Sequence, residues 1–175
     1  MFAPTGHAEK VDGGFQVSGQ WQVGSGSQNA GRVLGGCMLT ENGSEAQKHA
    51  LLPRIAAGEL LLSYGLSEPN VGGNLASVET SVERQGDQII VKDAKRWCTE
   101  ADWADYIYCL VRSGNQDARH NNLSMLLIST DTPSVTMQPI EHISLRYTVS
   151  MDVYFDDVCL DSDAIVGGPD MWNQG

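Results

Sequence analysis

The chain has 175 residues, with 22 carboxylates against 11 Lys and Arg and a formal net charge of −11. That length suits one domain with a sizeable buried core. The charge is relieved by a basic cluster only at Lys92, Lys95 and Arg96, which disfavours nucleic acid and anionic membranes as partners.

In chain order, Met1–Gly6 has neither the basic n-region nor the apolar h-region of a secretory signal. The longest apolar stretches, such as Leu123–Ile128, fall far short of the ~20 residues of a membrane-spanning helix. The expectation is a soluble, cytoplasmic chain. Ala8–Val11, then Asp12-Gly13-Gly14, then Phe15–Ser18 predict a strand, a tight Asp-Gly turn and a second strand. Gly19–Asn29 is rich in Gly, Ser and Gln around Trp21, and Arg32–Leu39 can form another strand broken at Gly35-Gly36.

Ser44–Gly58 is the convincing helical stretch, with Ser44 and Gln47 spaced as a capping box and Gly58 as its stop. Pro53 is expected to kink or divide it. Beyond Glu59 the pattern becomes β, over 60–66, 76–84, 88–91, 95–98, 106–111, 123–129 and 149–158. In the last of these Val149, Met151, Val153 and Phe155 alternate with Ser150, Asp152, Tyr154 and Asp156, one apolar face and one wet face. The fold class is therefore mainly β, an antiparallel barrel or sandwich with one short helix. The predicted organisation is a β-hairpin extension at 1–43, a helix at 44–58 and a β-domain at 59–175.

Cys37, Cys98, Cys109 and Cys159 form no CxxC pair and no cluster with the four histidines, so zinc is disfavoured. An even count permits two disulfides. The missing signal sequence favours buried thiols in a reducing compartment.

Leu60-Leu-Leu-Ser-Tyr-Gly-Leu-Ser-Glu-Pro-Asn-Val-Gly-Gly-Asn74 resembles the acyl-CoA dehydrogenase signature of an apolar strand, Thr or Ser-Glu-Pro, and a Gly-Ser-Asp loop. Gly86–Thr99, ending Lys95-Arg-Trp-Cys-Thr99, resembles the hairpin Gly-x-Lys-x-Trp-x-Thr of that family. Val153-Tyr-Phe-Asp-Asp-Val158 before Gly167-Gly168 is similar to its closing strand, and Ser44–Gly58 to the last helix of its N-terminal helical domain. The resemblance implies the family's middle β-domain, with FAD as cofactor, an acyl-CoA thioester as ligand and α,β-oxidation of the acyl chain as the reaction. It further implies a carboxylate base supplied by a C-terminal helical domain; no residue of this chain matches that base. A helical-domain partner or a homo-oligomer is expected to complete the site.

An isoalloxazine ring needs a flat apolar wall and hydrogen-bond donors at its reactive edge. Trp97 and Thr99 meet those needs, since two residues apart on a strand they share a face. The resemblance makes them the family's flavin-contacting Trp and Thr. Ser67 offers a hydroxyl and an N–H to the polar edge, and Gly72-Gly73 let backbone approach phosphate or substrate. The chain departs from the pattern at Gly73, where the family has Ser, at Asn74, where it has Asp, and at Asp93, where it has Gly. Taken alone, Trp97 reads as core, Ser67 and Thr99 as ordinary strand-end hydroxyls and Gly72-Gly73 as a turn. Glu68 reads as a turn residue between Ser and Pro, and Lys95 and Arg96 as solvated cations or phosphate contacts.

Residues 1–43 do not resemble a helical domain. Val11–Trp21 and Gly24-Ser-Gly26 resemble the same hairpin as it occurs in the superfamily's flavin-dependent monooxygenases. An ungapped offset of 74 residues, Val17 onto Val91, also places Phe15 on Ile89 and Ala30 on Ala104. The segment is either a second, partial copy of the hairpin or a Gly-rich β-extension. Two other readings of the whole chain stand beside the dehydrogenase: a monooxygenase fragment, and a non-catalytic binding or assembly module.

Overall fold

The computed structural model describes residues 6–12, 14–19, 37–114, 122–143 and 148–169. The chain forms two compact units, residues 1–60 and 61–175.

In the first unit β1 (Gly6–Val11) pairs antiparallel with β2 (Gly14–Gly19), in register from Val11↔Gly14 to Gly6↔Gly19. Helix α1 (Cys37–Asn42) follows, then α2 (Glu45–Ala57). The strand expected over Arg32–Leu39 is corrected where it is described: Cys37–Leu39 open a helix, and 32–36 lie outside the described residues. A short apolar run does not distinguish a buried strand from a turn of helix. Trp21 and the Gly24-Ser-Gly26 motif also lie outside the described residues.

The capping box of α2 is formed, with the Gln47 N–H donating to Ser44 Oγ at 3.2 Å and the Ser44 N–H to Gln47 Oε1 at 2.9 Å. Gly58 ends the helix in a left-handed conformation, φ 75°. Pro53 sits inside α2 without dividing it; the helix forgoes the one bond that proline cannot donate.

The second unit is a seven-stranded sheet: β3 (Leu62–Gly65), β4 (Ser81–Gln85), β5 (Gln88–Thr99), β6 (Tyr106–Arg112), β7 (Leu123–Ser129), β8 (Val135–Ile140) and β9 (Ser150–Asp161). Its order is β3-β6-β4-β5-β9-β8, with β7 on β6. The mainly-β expectation holds, and the sheet is mixed, because β3 runs parallel to β6 and β4 meets β6 in parallel at Ser81↔Arg112. It curls into a half-barrel. Although β3 is an end of that order, it and the segment after it also reach β5: Ser63 Oγ of β3 donates to the Thr99 carbonyl at 2.8 Å, and the Arg96 N–H donates to the carbonyl of Ser67, two residues past β3, at 2.8 Å. The core is filled by Ile89, Val91, Ile107, Val111, Leu126, Ile128, Val153 and Val158, all buried. Side chains of this kind each contribute roughly 1.5–3 kcal/mol when fully buried.

Strand β5 is continuous where two short strands were expected, and β8 was not anticipated. Among the described residues no helix is long and apolar enough to cross a membrane. The expectation of buried thiols is corrected at Cys159, which is exposed; Cys98 and Cys109 are free and buried. Burial pushes both of those thiols up to about 12.

Candidate functional site

Two β-bulges shape β5 against β9. At the first, Val91↔Val158 gives way to Asp93↔Phe155, which leaves the extra residue on β9. At the second, Lys95↔Val153 gives way to Cys98↔Met151, so Arg96 and Trp97 together face Asp152. Trp97 takes a left-handed backbone, φ 63°. A bulge shifts the alternation of a strand by one residue. Lys95 therefore points to the interior with Val91, whereas beyond the bulge Cys98 is buried and Trp97 and Thr99 are exposed. Without the extra residue Trp97 and Thr99 would follow Lys95 inward.

Trp97 is 51% exposed. The Arg96 guanidinium lies 5.1 Å from its ring centroid, and the His142 ring 6.1 Å away at a tilt of 36°. His142 is held by its Nε2, which accepts the Ser150 N–H at 3.3 Å. Arg96 Nε stands 3.7 Å from Asp152 Oδ1, a buried oxygen with no hydrogen-bond partner among the described residues.

Ser67 is half-buried and abuts the bulge through its carbonyl. Gly72 and Gly73 are exposed on the loop that follows, and a Cβ added at either would meet nothing within 4 Å. Asn74 donates from its amide to Ser77 Oγ at 2.7 Å. Asp93, where the resemblance expects Gly, adopts φ 100° inside β5 at the first bulge, a conformation that L residues rarely adopt. Burial, with Glu68 and Glu79 adding to it, raises the Asp93 carboxyl above its ordinary range.

The largest correction concerns Lys95. Glu68 does sit in a turn, its carbonyl accepting the Val71 N–H at 3.3 Å and its own N–H donating to the Val71 carbonyl at 3.1 Å; the solvated cation is not observed, since Lys95 is 0% exposed, Glu68 is 5% exposed, and Lys95 Nζ lies 2.7 Å from Glu68 Oε1. Oε1 also accepts from the Thr80 N–H at 2.9 Å and the Thr80 hydroxyl at 2.6 Å, and Oε2 accepts from the Glu79 N–H at 2.6 Å. Burial by itself raises the Glu68 carboxyl; the bonds from Lys95, Thr80 and Glu79 more than offset it and hold the group below its ordinary value. A carboxylate so bound is ionised but encumbered, and it is no proton acceptor for a ligand. Arg112, also buried, donates to the carbonyls of Val78 and Ala76 at 2.8 and 2.6 Å. The segment after Gly73 is thus clamped by an anion on its amides and a cation on its carbonyls.

The structure therefore gathers Ser67, Trp97 and Thr99 around the junction of β3 and β5, and sets Gly72-Gly73 on the adjoining loop. Exposed indole, hydroxyl and accessible backbone are the groups a flavin edge requires. The residues that sequence reasoning missed, Glu68 and Lys95, touch none of that surface.

Residues 63–158 match the family described as acyl-CoA dehydrogenase, middle domain. The chain belongs to the acyl-CoA dehydrogenase family. Acyl-CoA dehydrogenase IpdE1 of Mycobacterium tuberculosis (strain ATCC 25618 / H37Rv) is 37% identical over 143 residues, which cover 81% of this chain and 37% of that one. Acyl-CoA dehydrogenase FadE29 of the same strain is 36% identical, covering 75% of this chain and 34% of the relative. Among solved structures, the ChsE4-ChsE5 complex from Mycobacterium tuberculosis aligns with a TM-score of 0.69 at 31% identity, covering 77% of this chain and 34% of that one. A glutaryl-CoA dehydrogenase from Mycobacterium smegmatis in complex with FADH2 aligns at 0.64 and 34% identity, covering 71% and 31%. The chain spans about a third of the length of these acyl-CoA dehydrogenases.

Proposed function

We propose that this chain provides the flavin-facing β-layer of an acyl-CoA dehydrogenase, binding the isoalloxazine of FAD at Ser67, Trp97 and Thr99, with Gly72-Gly73 beside the phosphates or the acyl-CoA thioester. The observation that carries the reading is the second bulge of β5, beyond which Trp97 and Thr99 are exposed while Cys98 between them is buried. Bound FAD would accept the hydride of α,β-oxidation; the chain's own part is to present an apolar wall and a donor to it. A proton acceptor above the substrate α-carbon is assigned to a helical domain or partner, since positioned proton transfer contributes ~10²–10⁴-fold and Glu68 is committed elsewhere. Relatives described as two-component complexes, ChsE4-ChsE5 and Tcur3481-Tcur3483, support completion by another chain.

The test is anaerobic mixing of the chain, FAD and short, medium or long acyl-CoAs while the visible flavin band is followed. Bleaching only when a helical-domain partner is added supports the proposal, and rapid bleaching by the chain alone refutes the assignment of the base.

One observation bears on residues 1–43. The 74-residue offset carries the hairpin closure Val11↔Gly14 onto Gln85↔Gln88, the closure of β4 and β5. That coincidence favours reading the N-terminal hairpin as a partial copy of the flavin-facing one. A monooxygenase reading would require an oxygen adduct on reduced flavin, which the same spectra detect.

A further inference from the structure

Each piece of the candidate site is tied to one side chain that touches no part of its open surface. Glu68 follows Ser67, whose carbonyl takes the Arg96 N–H. Its carboxylate closes the loop bearing Gly72 and Gly73 by accepting from Glu79 and Thr80 at the loop's far end. Its third partner, Lys95, lies two residues before Trp97 and between the two bulges of β5.

Room for the Lys95 stem is made by Gly65, where a Cβ would come within 3.2 Å of Lys95 Cγ and 2.8 Å of Ile107 Cγ2. Stability is a poor reason for such a pair, because well-packed apolar replacements of buried ion pairs are often neutral or better. What an apolar pair could not supply is a directional anchor that pins residue 95 inward and forces the extra residue, with its left-handed backbone, to Arg96-Trp97.

We propose that Glu68 and Lys95 are the positioning pair of this site, setting the bulge that presents Trp97 and Thr99 and locking the Gly72-Gly73 loop against it. The inference rests on the flavin-site reading for its functional consequence, and on the bulge alone for its structural one. The experiment labels the chain with 5-fluorotryptophan and identifies the Trp97 fluorine resonance by its loss in Trp97→Phe. Lys95→Met, Glu68→Gln and the neutral double Glu68→Gln/Lys95→Met are compared with the parent. Val158→Ala, a core change away from the pair, serves as the control for lost stability.

The expected result is a shifted or broadened Trp97 resonance in the pair variants but not in Val158→Ala, with FAD affinity lowered about tenfold or more, as for other groups that orient a binding residue. The double variant leaves no unpaired buried charge, so it carries the test if either single variant fails to fold. A double variant with the parent's Trp97 resonance and the parent's FAD affinity overturns the proposal. So does a double variant that cannot fold, since the pair is then a determinant of the fold alone. If the parent itself binds no FAD, the flavin reading fails while the fluorine comparison still decides the positioning role.

Discussion

Alanine at three glycines separates what the fold requires from what a ligand requires. At Gly65 a Cβ would lie 2.8 Å from Ile107 Cγ2 and 3.2 Å from Lys95 Cγ, in the interior beside the buried pair. Overpacking of that kind costs about 1–3 kcal/mol, and at roughly 2–4 °C per kcal/mol for a chain of this size Gly65→Ala should lower the melting temperature by several degrees. At Gly72 and Gly73 nothing lies within 4 Å and neither backbone is left-handed. Alanine there restricts the unfolded chain without straining the folded one, which stabilises by about 0.4–1 kcal/mol. If these two residues leave space for phosphate or thioester, the added methyl weakens FAD or acyl-CoA binding in proteins that melt no lower than the parent. Differential scanning calorimetry and a ligand titration on the three variants check both halves. The reasoning is refuted if Gly73→Ala destabilises as much as Gly65→Ala, or if both loop variants bind as the parent does.

Three further outcomes follow from the electrostatics and the backbone. The Glu68 carboxyl is held below its ordinary value in the folded state, so its contribution is full above the unfolded carboxylate range, ~4.3 for Glu, and is lost as pH falls through the lower folded value; urea melts across acid pH should show this loss in the parent and a flatter profile in Glu68→Gln. Asp93→Gly should stabilise by about 1 kcal/mol in denaturant melts at neutral pH, because it relieves φ 100° and removes a carboxylate whose ionisation burial opposes. With thiols at about 12, Cys98 and Cys109 should resist iodoacetamide in the native chain while exposed Cys159 reacts, as read by peptide mass spectrometry.

Much of the fold was legible because local chemistry and the tertiary answer agree. Leu123–Ser129 was bounded correctly as β7, since Asn before it and Thr-Asp after it punctuate an apolar run. Ser44 and Gln47 announced the start of α2 from four residues alone. Strand β8 was missed because Pro133 and Pro139 argue against a strand; Pro139 is tolerated in β8, which lies at the end of the strand order. Strand β5 was divided because Asp93-Ala94 reads as a turn, whereas the chain runs on through two bulges that only the pairing with β9 reveals.

Of the candidate site, the structure leaves Trp97 and Thr99 exposed, as a flavin-contacting role requires. What supports them was not legible in the sequence. Lys95 reads as a solvated cation and Glu68 as a turn residue, and the two lie 27 residues apart, so nothing local joins them. Strict alternation puts Lys95 on the same face as Trp97 and Thr99, and only the pairing with β9 reveals the bulge that breaks that alternation.

The central claim is most directly tested by titrating FAD with the parent chain, Trp97→Ala and Thr99→Ala and following the quenching of flavin fluorescence. The account predicts weak but saturable binding by the parent, and a raised Kd in each variant with the far-UV spectrum unchanged. Saturable binding that neither substitution weakens would contradict it, because the flavin would then lie on another surface.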